Sequence, residues 1–211
     1  MALSDRLTAH RYYDRDAAVF AARYDSVSFE SVHPLLSRYL PETGSALDIG
    51  AGSGRDARAM AKHGLEVTAV EPSVGLRGIG QAKGAGLRWI DDHLPGLGLL
   101  TLAGDRFDYI LCSAVLMLIA PSDLAPSFIT MAGLLGDGGR LGINLRAPRP
   151  DEPTELFFDH RDADVLRAAE AAGLACVDRG EAEDAIGRGG YHWRSFVFLR
   201  KPVASREERL G

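Results

Sequence analysis

The chain has 211 residues, 46% of them hydrophobic, and a formal net charge of −5. That is enough apolar material for one domain with a sizeable core, and the acidic balance speaks against a general grip on nucleic acid through phosphate neutralisation. No apolar stretch is long enough to cross a bilayer, and Cys112 and Cys176, the only cysteines, have no metal-ligand spacing.

Residues 1–10 contain no apolar signal core and carry Asp5, so a cytoplasmic protein is expected. Residues 12–25 mix aromatics, alanines and charges and read as a helix. Residues 31–40 are a second candidate, with Leu35, Leu36, Tyr39 and Leu40 as an apolar stripe. Pro41-Glu42-Thr43-Gly44 ends it. Strands then alternate with helices. Strands are expected near 46–50, 66–70, 87–91, 107–112 and 140–145, and helices near 54–63, 73–83 and 122–135. Such alternation predicts right-handed crossovers and a mostly parallel sheet. The proline-rich run 146–153 reads as a loop. A helix near 161–172 and strands near 174–178 and 194–200 follow. Ser205-Arg206-Glu207-Glu208-Arg209 reads as a solvated charged tail. The whole is expected to be a single domain over 1–211: a helical segment at 1–44, an α/β core at 45–201 and a tail at 202–211.

Residues 46–54, Ala-Leu-Asp-Ile-Gly-Ala-Gly-Ser-Gly, are the most informative stretch. An apolar run suited to a buried parallel strand ends beside three glycines at alternate positions. Glycines there let backbone approach a ligand without interference from Cβ. A breaker-free, alanine-rich helix follows. A dinucleotide cradle would need Gly-x-Gly-x-x-Gly. Here Arg55 stands where the last of those glycines allows close helix–strand packing. Asp48 also lies next to the turn, where a pyrophosphate would gain nothing from it.

Leu47 to Gly54 resembles the first motif of the class I S-adenosylmethionine-dependent methyltransferases. Further landmarks follow in order. Leu65-Glu66-Val67-Thr68-Ala69-Val70-Glu71-Pro72-Ser73 resembles the family's second strand with its acidic ribose-binding position. Trp89-Ile90-Asp91-Asp92-His93-Leu94-Pro95 resembles the region where an acidic side chain meets the adenine amine. Phe107 to Leu116 resembles the fourth-strand motif. Leu134 to Leu141 resembles the helix, turn and fifth strand. The resemblance implies a Rossmann-like three-layer α/β/α sandwich around a seven-stranded, mostly parallel sheet, its last strand antiparallel beside the fifth. It implies S-adenosyl-L-methionine as cofactor, with Asp48, Gly50, Ala51, Gly52, Glu71, Pro72, Asp91, Asp92, Ser113 and Tyr13 around it. Of the two adjacent aspartates only one can easily reach the adenine, and Asp91 is favoured. Glu71, at a strand end, is suited to accept from both ribose hydroxyls and is expected outside the core. Arg55 is either a surface arginine or a partner for the methionyl carboxylate.

The acceptor carries no decodable motif. Tyr12 and Tyr13 precede the core and could close over the cofactor, where an aromatic face would attract a sulfonium. Gly189-Gly190-Tyr191-His192-Trp193-Arg194 reads as a glycine-flanked loop, with His192 a weak candidate base. His160 and Arg161 lie in another late loop. No metal site and no membrane contact are expected. A small-molecule acceptor is the leading expectation. A macromolecular acceptor, a non-catalytic cofactor binder and a nicotinamide oxidoreductase are its rivals. The fourth-strand segment lacks both the Asn/Asp-Pro-Pro-aromatic stretch and the Pro-Cys nucleophile of DNA methylation. The oligomeric state is not legible.

Overall fold

A computed structural model describes residues 8–84 and 86–200. The expected tail at 202–211 and residues 1–7 lie outside the described residues. The strands are β1 (Ser45–Ile49), β2 (Glu66–Val70), β3 (Arg88–Ile90), β4 (Phe107–Ser113), β5 (Leu135–Arg146), β6 (Leu174–Glu183) and β7 (His192–Arg200). They form one seven-stranded sheet in the order β3-β2-β1-β4-β5-β7-β6. The five strands from β3 to β5 run parallel. β7 lies between β5 and β6 and is antiparallel to both. The expected fold, including the antiparallel last strand beside the fifth, is what the chain adopts.

The helices are α1 (Ala9–Asp14), α2 (Ala17–Tyr24), α3 (Phe29–Val32), α4 (Arg55–His63), α5 (Val74–Lys83), α6 (Gly98–Ala103), α7 (Leu124–Leu134) and α8 (Asp162–Ala171). Strand alternation divides the core into two layers. Leu47 and Ile49 of β1 face one side and pack with Leu100, Phe128, Met131 and Val165 of α6, α7 and α8. Ala46 faces the other side with Tyr109 and Leu111, under Phe29, Ala57 and Met60 of α3 and α4. Asp48 shares the second face.

Several expected elements differ in detail. The helix at 12–25 is two helices, parted at Arg15–Asp16, which lets the segment bend over the sheet edge. The helix at 31–40 is the short α3 and a separate 3-10 turn, because Pro34 interrupts it. The expected strand at 140–145 begins at Leu135, after α7 ends, and its register with β4 shifts between Phe107 and Tyr109. β6 runs to Glu183, because the antiparallel ladder with β7 continues to the pair Glu183–His192. Helix α6 has no counterpart among the expected elements: six residues flanked by glycines give too short a period to read.

One close approach fixes the centre of the sheet. Tyr109 is fully buried, and a Cβ at Gly142 on β5 would sit 2.5 Å from its hydroxyl oxygen. Glycine at 142 is what lets the phenol lie across the neighbouring strand. Gly142→Ala should therefore destabilise the fold by about 1–3 kcal/mol, the usual cost of overpacking. A urea midpoint unchanged from wild type would contradict this.

Candidate functional site

The carboxyl ends of β1, β2 and β4 open into a cavity of about 810 Å³, within the usual range for ligand sites. Its floor is the glycine turn. Gly50, Gly52 and Gly54 all have positive φ, at 69°, 57° and 78°, a region where side chains are strained. Gly50 also admits Val115, since a Cβ there would lie 2.4 Å from its methyl. Gly50 and Ala51 both donate their N–H to the Val70 carbonyl, at 2.8 and 2.9 Å. The turn is thus tied to the end of β2.

Glu71 makes the second tie. One carboxylate oxygen accepts from the Gly52 N–H at 2.7 Å and the other from the Ser73 N–H at 2.8 Å. Glu71 is buried, contrary to its expected place outside the core, because two backbone donors converge on it. Burial raises its pKa, and the two N–H donors oppose that rise. Each oxygen keeps acceptor capacity, and Glu71 and Pro72 both line the cavity.

Beside the turn lies a polar chain, of which Arg55 and Asp56 line the cavity. Arg55 forks onto Asp56, His33 Nε2 meets Asp56 at 3.0 Å, and Asn144 Nδ2 reaches His33 Nδ1 at 3.5 Å. Arg55 also bonds the Tyr24 carbonyl, so its donors are engaged with the protein. Burial opposes the Asp56 charge, yet His33 and Arg55 hold its pKa well below the ordinary value. Asp48 adjoins this chain and is not on the cavity wall. Its Oδ2 has no hydrogen-bond partner, and burial, with Asp56 nearby, raises its pKa well above the ordinary value.

The N-terminal segment roofs the cavity. Two carboxylates anchor it. Asp14 accepts from the Ser73 hydroxyl at 2.6 Å and the Gly75 N–H at 2.9 Å, at the start of α5. Asp25 accepts from the Ser53 hydroxyl and from Arg58 and Lys83. The Tyr24 ring covers the glycine turn, 3.6 Å from where a Gly52 Cβ would stand. Tyr12, Tyr13, Phe20 and Tyr24 form a run of ring contacts, and Tyr12 meets Phe157 edge-on at 5.7 Å, across to the late loops. Burial raises the Tyr13 pKa, and that of Tyr24 to about 12. Both phenols stay protonated near neutrality and are unsuited to act as bases.

The cavity wall includes Gly50, Ala51, Gly52, Glu71, Pro72, Asp92, Ser113 and Tyr13 of the expected set. Asp91 is a correction. β3 ends at Ile90, so both aspartates lie beyond the strand, and Asp91 turns outward to pair with Arg77 at 2.8 Å. Asp92 is the one on the wall, its oxygens accepting from the His93 and Leu99 N–H groups. His192 is a second correction. It opens β7 rather than sitting in a loop, and it is exposed, whereas its neighbours Tyr191 and Trp193 line the cavity. Strand alternation sends it the other way. His160 is buried against the Ile119 carbonyl, and Arg161 pairs with Asp164 in solvent; neither lines the cavity. Tyr24, Arg146 and Arg188 are wall residues that no sequence motif marks. Among the described residues no group of side chains could hold a metal ion, and no helix is long and apolar enough to cross a membrane.

The raised pKa of Asp48 makes stability depend on pH. The native state holds its proton to higher pH than the unfolded chain does, whose reference value is 3.8. Its contribution therefore weakens the fold as pH climbs from that value through the raised native one. Asp48→Asn should gain stability relative to wild type between about pH 5 and about pH 8. Urea midpoints at both ends read this. A difference that shrinks with rising pH would refute the burial account.

The chain's likenesses agree with this geometry. A family model described as a methyltransferase domain matches residues 47–141. No curated protein is a match. Among solved structures, the chain is similar to a TehB-like S-adenosylmethionine-dependent methyltransferase from Corynebacterium glutamicum, with 20% identity and a TM-score of 0.68 over 89% of this chain and 99% of that one. The magnesium protoporphyrin IX methyltransferase of Synechocystis, solved with S-adenosylhomocysteine, gives 18% and 0.68 over 90% and 97%. A Burkholderia thailandensis 1,6-didemethyltoxoflavin-N1-methyltransferase, solved with bound 1,6-didemethyltoxoflavin and S-adenosylhomocysteine, gives 21% and 0.65 over 93% and 92%. The matching family model, the fold and the glycine turn together identify a class I S-adenosylmethionine-dependent methyltransferase domain over residues 47–141.

Proposed function

We propose that this methyltransferase acts on a small-molecule acceptor held between the glycine turn and the late loops. The roof carries that reading: ring contacts running from Tyr24 over the glycine turn to Tyr12 and on to Phe157 enclose the space above the floor. A compartment covered by aromatic side chains suits a small partner better than a polymer. Two of the similar enzymes act, by their names, on a porphyrin and on didemethyltoxoflavin. A cytoplasmic setting belongs to the same proposal and rests on two unpaired cysteines, Cys112 buried and Cys176 exposed. A single domain over 1–211 belongs to it too, supported by the one continuous sheet.

The residues fit the cofactor. Gly52 leaves backbone bare under the Tyr24 ring, where any Cβ would fill the cradle. Glu71 retains lone pairs at the strand end, suited to the ribose hydroxyls. Asp92 is placed for the adenine amine. Gly50, Ala51, Pro72, Ser113 and Tyr13 complete that wall, while Asp48 supports the turn from behind. When bound, S-adenosylmethionine supplies an electrophilic methyl group. The chain's own part is to orient two reactants and exclude water. A base is needed only if the acceptor must lose a proton, and no wall residue is assigned that task.

Calorimetry should show binding of S-adenosylhomocysteine and none of NAD. An NAD isotherm with no response to the sulfur ligand would end the cofactor assignment, and homocysteine release with RNA or protein alone would end the small-molecule one. Glu71→Ala should weaken S-adenosylhomocysteine binding by about 2–3 kcal/mol, the range for bonds to a charged group. It should also lower the urea midpoint, since two buried N–H groups lose their acceptor. Unchanged affinity would place the ribose elsewhere. Gly52→Val should abolish cofactor binding with the far-ultraviolet circular dichroism kept. Normal binding in that variant would separate the turn from the cofactor.

A further inference from the structure

The wall beyond the cofactor end has a composition the acidic chain does not lead one to expect. Arg146, the last residue of β5, is 5% exposed yet lines the cavity. Its two terminal nitrogens fork onto Glu152 at 2.8 and 2.5 Å, and its Nε is buried without a partner. Aromatic faces box the guanidinium: its carbon lies 4.6 Å from the Tyr191 ring centre, 5.7 Å from Phe157 and 5.8 Å from Trp193. Two more guanidiniums, of Arg188 and Arg149, lie 4.0 and 5.0 Å from the same Tyr191 ring. Glu71 and Asp92 stand at the cofactor end. Three guanidiniums are thus gathered on the acceptor side, each held by its own carboxylate: Arg146 by Glu152, Arg149 by Asp151 and Arg188 by Asp184.

A buried ion pair of this kind is a poor device for stability, since desolvation offsets most of the attraction. An Arg fork does match a carboxylate in plane and spacing. Glu152, from the loop after β5, supplies such a carboxylate, while also accepting from the Arg149 N–H. Flat rings beside the fork suit a flat apolar body, which gains from stacked and edge-on contacts. Tyr12 of the roof touches Phe157 of the same box, so an occupant there would lie beneath the roof and beside the cofactor floor.

We propose that Arg146 is the specificity-determining residue for a planar aromatic acceptor that carries a carboxylate, and that Glu152 occupies the Arg146 fork until that carboxylate replaces it. This rests on the small-molecule reading and names its acceptor class. The acceptor's charge is then satisfied inside the cavity, and its ring is held among Phe157, Tyr191 and Trp193. The aromatic wall gives affinity, and the fork gives discrimination against the neutral analogue.

The test uses the full chain saturated with S-adenosylhomocysteine, whose own isotherm is recorded first. Failure of that isotherm would count against the cofactor assignment and is distinct from any failure of the acceptor probes. These probes are 2-naphthoate and 2-naphthamide, read by quenching of tryptophan fluorescence, since Trp193 lines the box. The carboxylate should bind at least about tenfold more tightly than the amide, as a bond to a charged group predicts. Arg146→Gln should equalise the two, and Arg146→Lys, which keeps the charge and loses the fork, should narrow the gap if the glutamine variant does not fold. Glu152→Gln should tighten the carboxylate and leave the amide unchanged. Equal affinities in the wild type, a preference that survives in folded Arg146 variants, or no binding of either probe would overturn the assignment. Weaker carboxylate binding in Glu152→Gln would show the pair to be a fixed wall and remove the exchange.

Discussion

The site depends on one carboxylate at the end of one strand. Glu71 reaches the N–H of Gly52 with one oxygen and that of Ser73 with the other. It thereby fixes two loops that no hydrogen-bond ladder joins. The glycine turn follows β1, and the Ser73 cap opens α5 after β2. Parallel pairing sets these loops side by side but does not set their conformation. A buried acceptor between two donors does. The same group keeps capacity for further donors on the cavity side, so the geometry of the cradle and its capacity to bind are one feature. Burying a carboxylate is costly unless donors converge on it, and here they do.

The roof follows the same logic in reverse. Helices α1 and α2 add no strand and little core of their own. They are held by two aspartates placed at the edges of the floor, Asp14 on the α5 start and Asp25 on Ser53, Arg58 and Lys83. Between those anchors the contacts are aromatic. Rings can slide and tilt at little cost, whereas charge-assisted hydrogen bonds at 2.6–3.0 Å are directional. The roof is firm where it meets the cofactor floor and adaptable where it meets the late loops. That division suits an enzyme whose cofactor is fixed and whose acceptor is particular to it.

Much of the floor is legible in the sequence because it is local. An apolar run into Gly50-Ala51-Gly52-Ser53-Gly54 states a strand, a turn and a helix within a few residues, and the acid after the next strand follows from the same unit. The strand positions follow from apolar runs, and the antiparallel last strand from the family resemblance. Orientation at the ends of elements is not legible in this way. Asp91 and Asp92 differ by which way a loop turns after a strand of three residues, and no period extends that far. Residues 189–194 look like a loop, which hides the role of His192; once it opens β7, alternation puts Tyr191 and Trp193 on the cavity side instead. The roof and the acceptor wall are not legible at all in their contacts. Arg146 opens the proline-rich run 146–153, which reads only as a loop. Its burial needs Glu152, Phe157, Tyr191 and Trp193, which only the tertiary fold brings to it.

The placement of β7 has a consequence for how the chain is made. β5 pairs with β4 on one side and with β7 on the other. As the polypeptide leaves the ribosome, the apolar edge with Leu141, Ile143 and Leu145 is finished long before its second neighbour exists. Until residues 192–200 emerge, that edge is an open template for pairing with another chain. β6 joins the sheet only through β7, with which it forms a hairpin, so both are added to the β5 edge by the one non-local pairing of β5 with β7. The nascent protein thus has a period in which the half of the sheet bearing the cofactor cradle can be in place while its neighbour is exposed. Chaperone dependence and aggregation during synthesis should concentrate in that period.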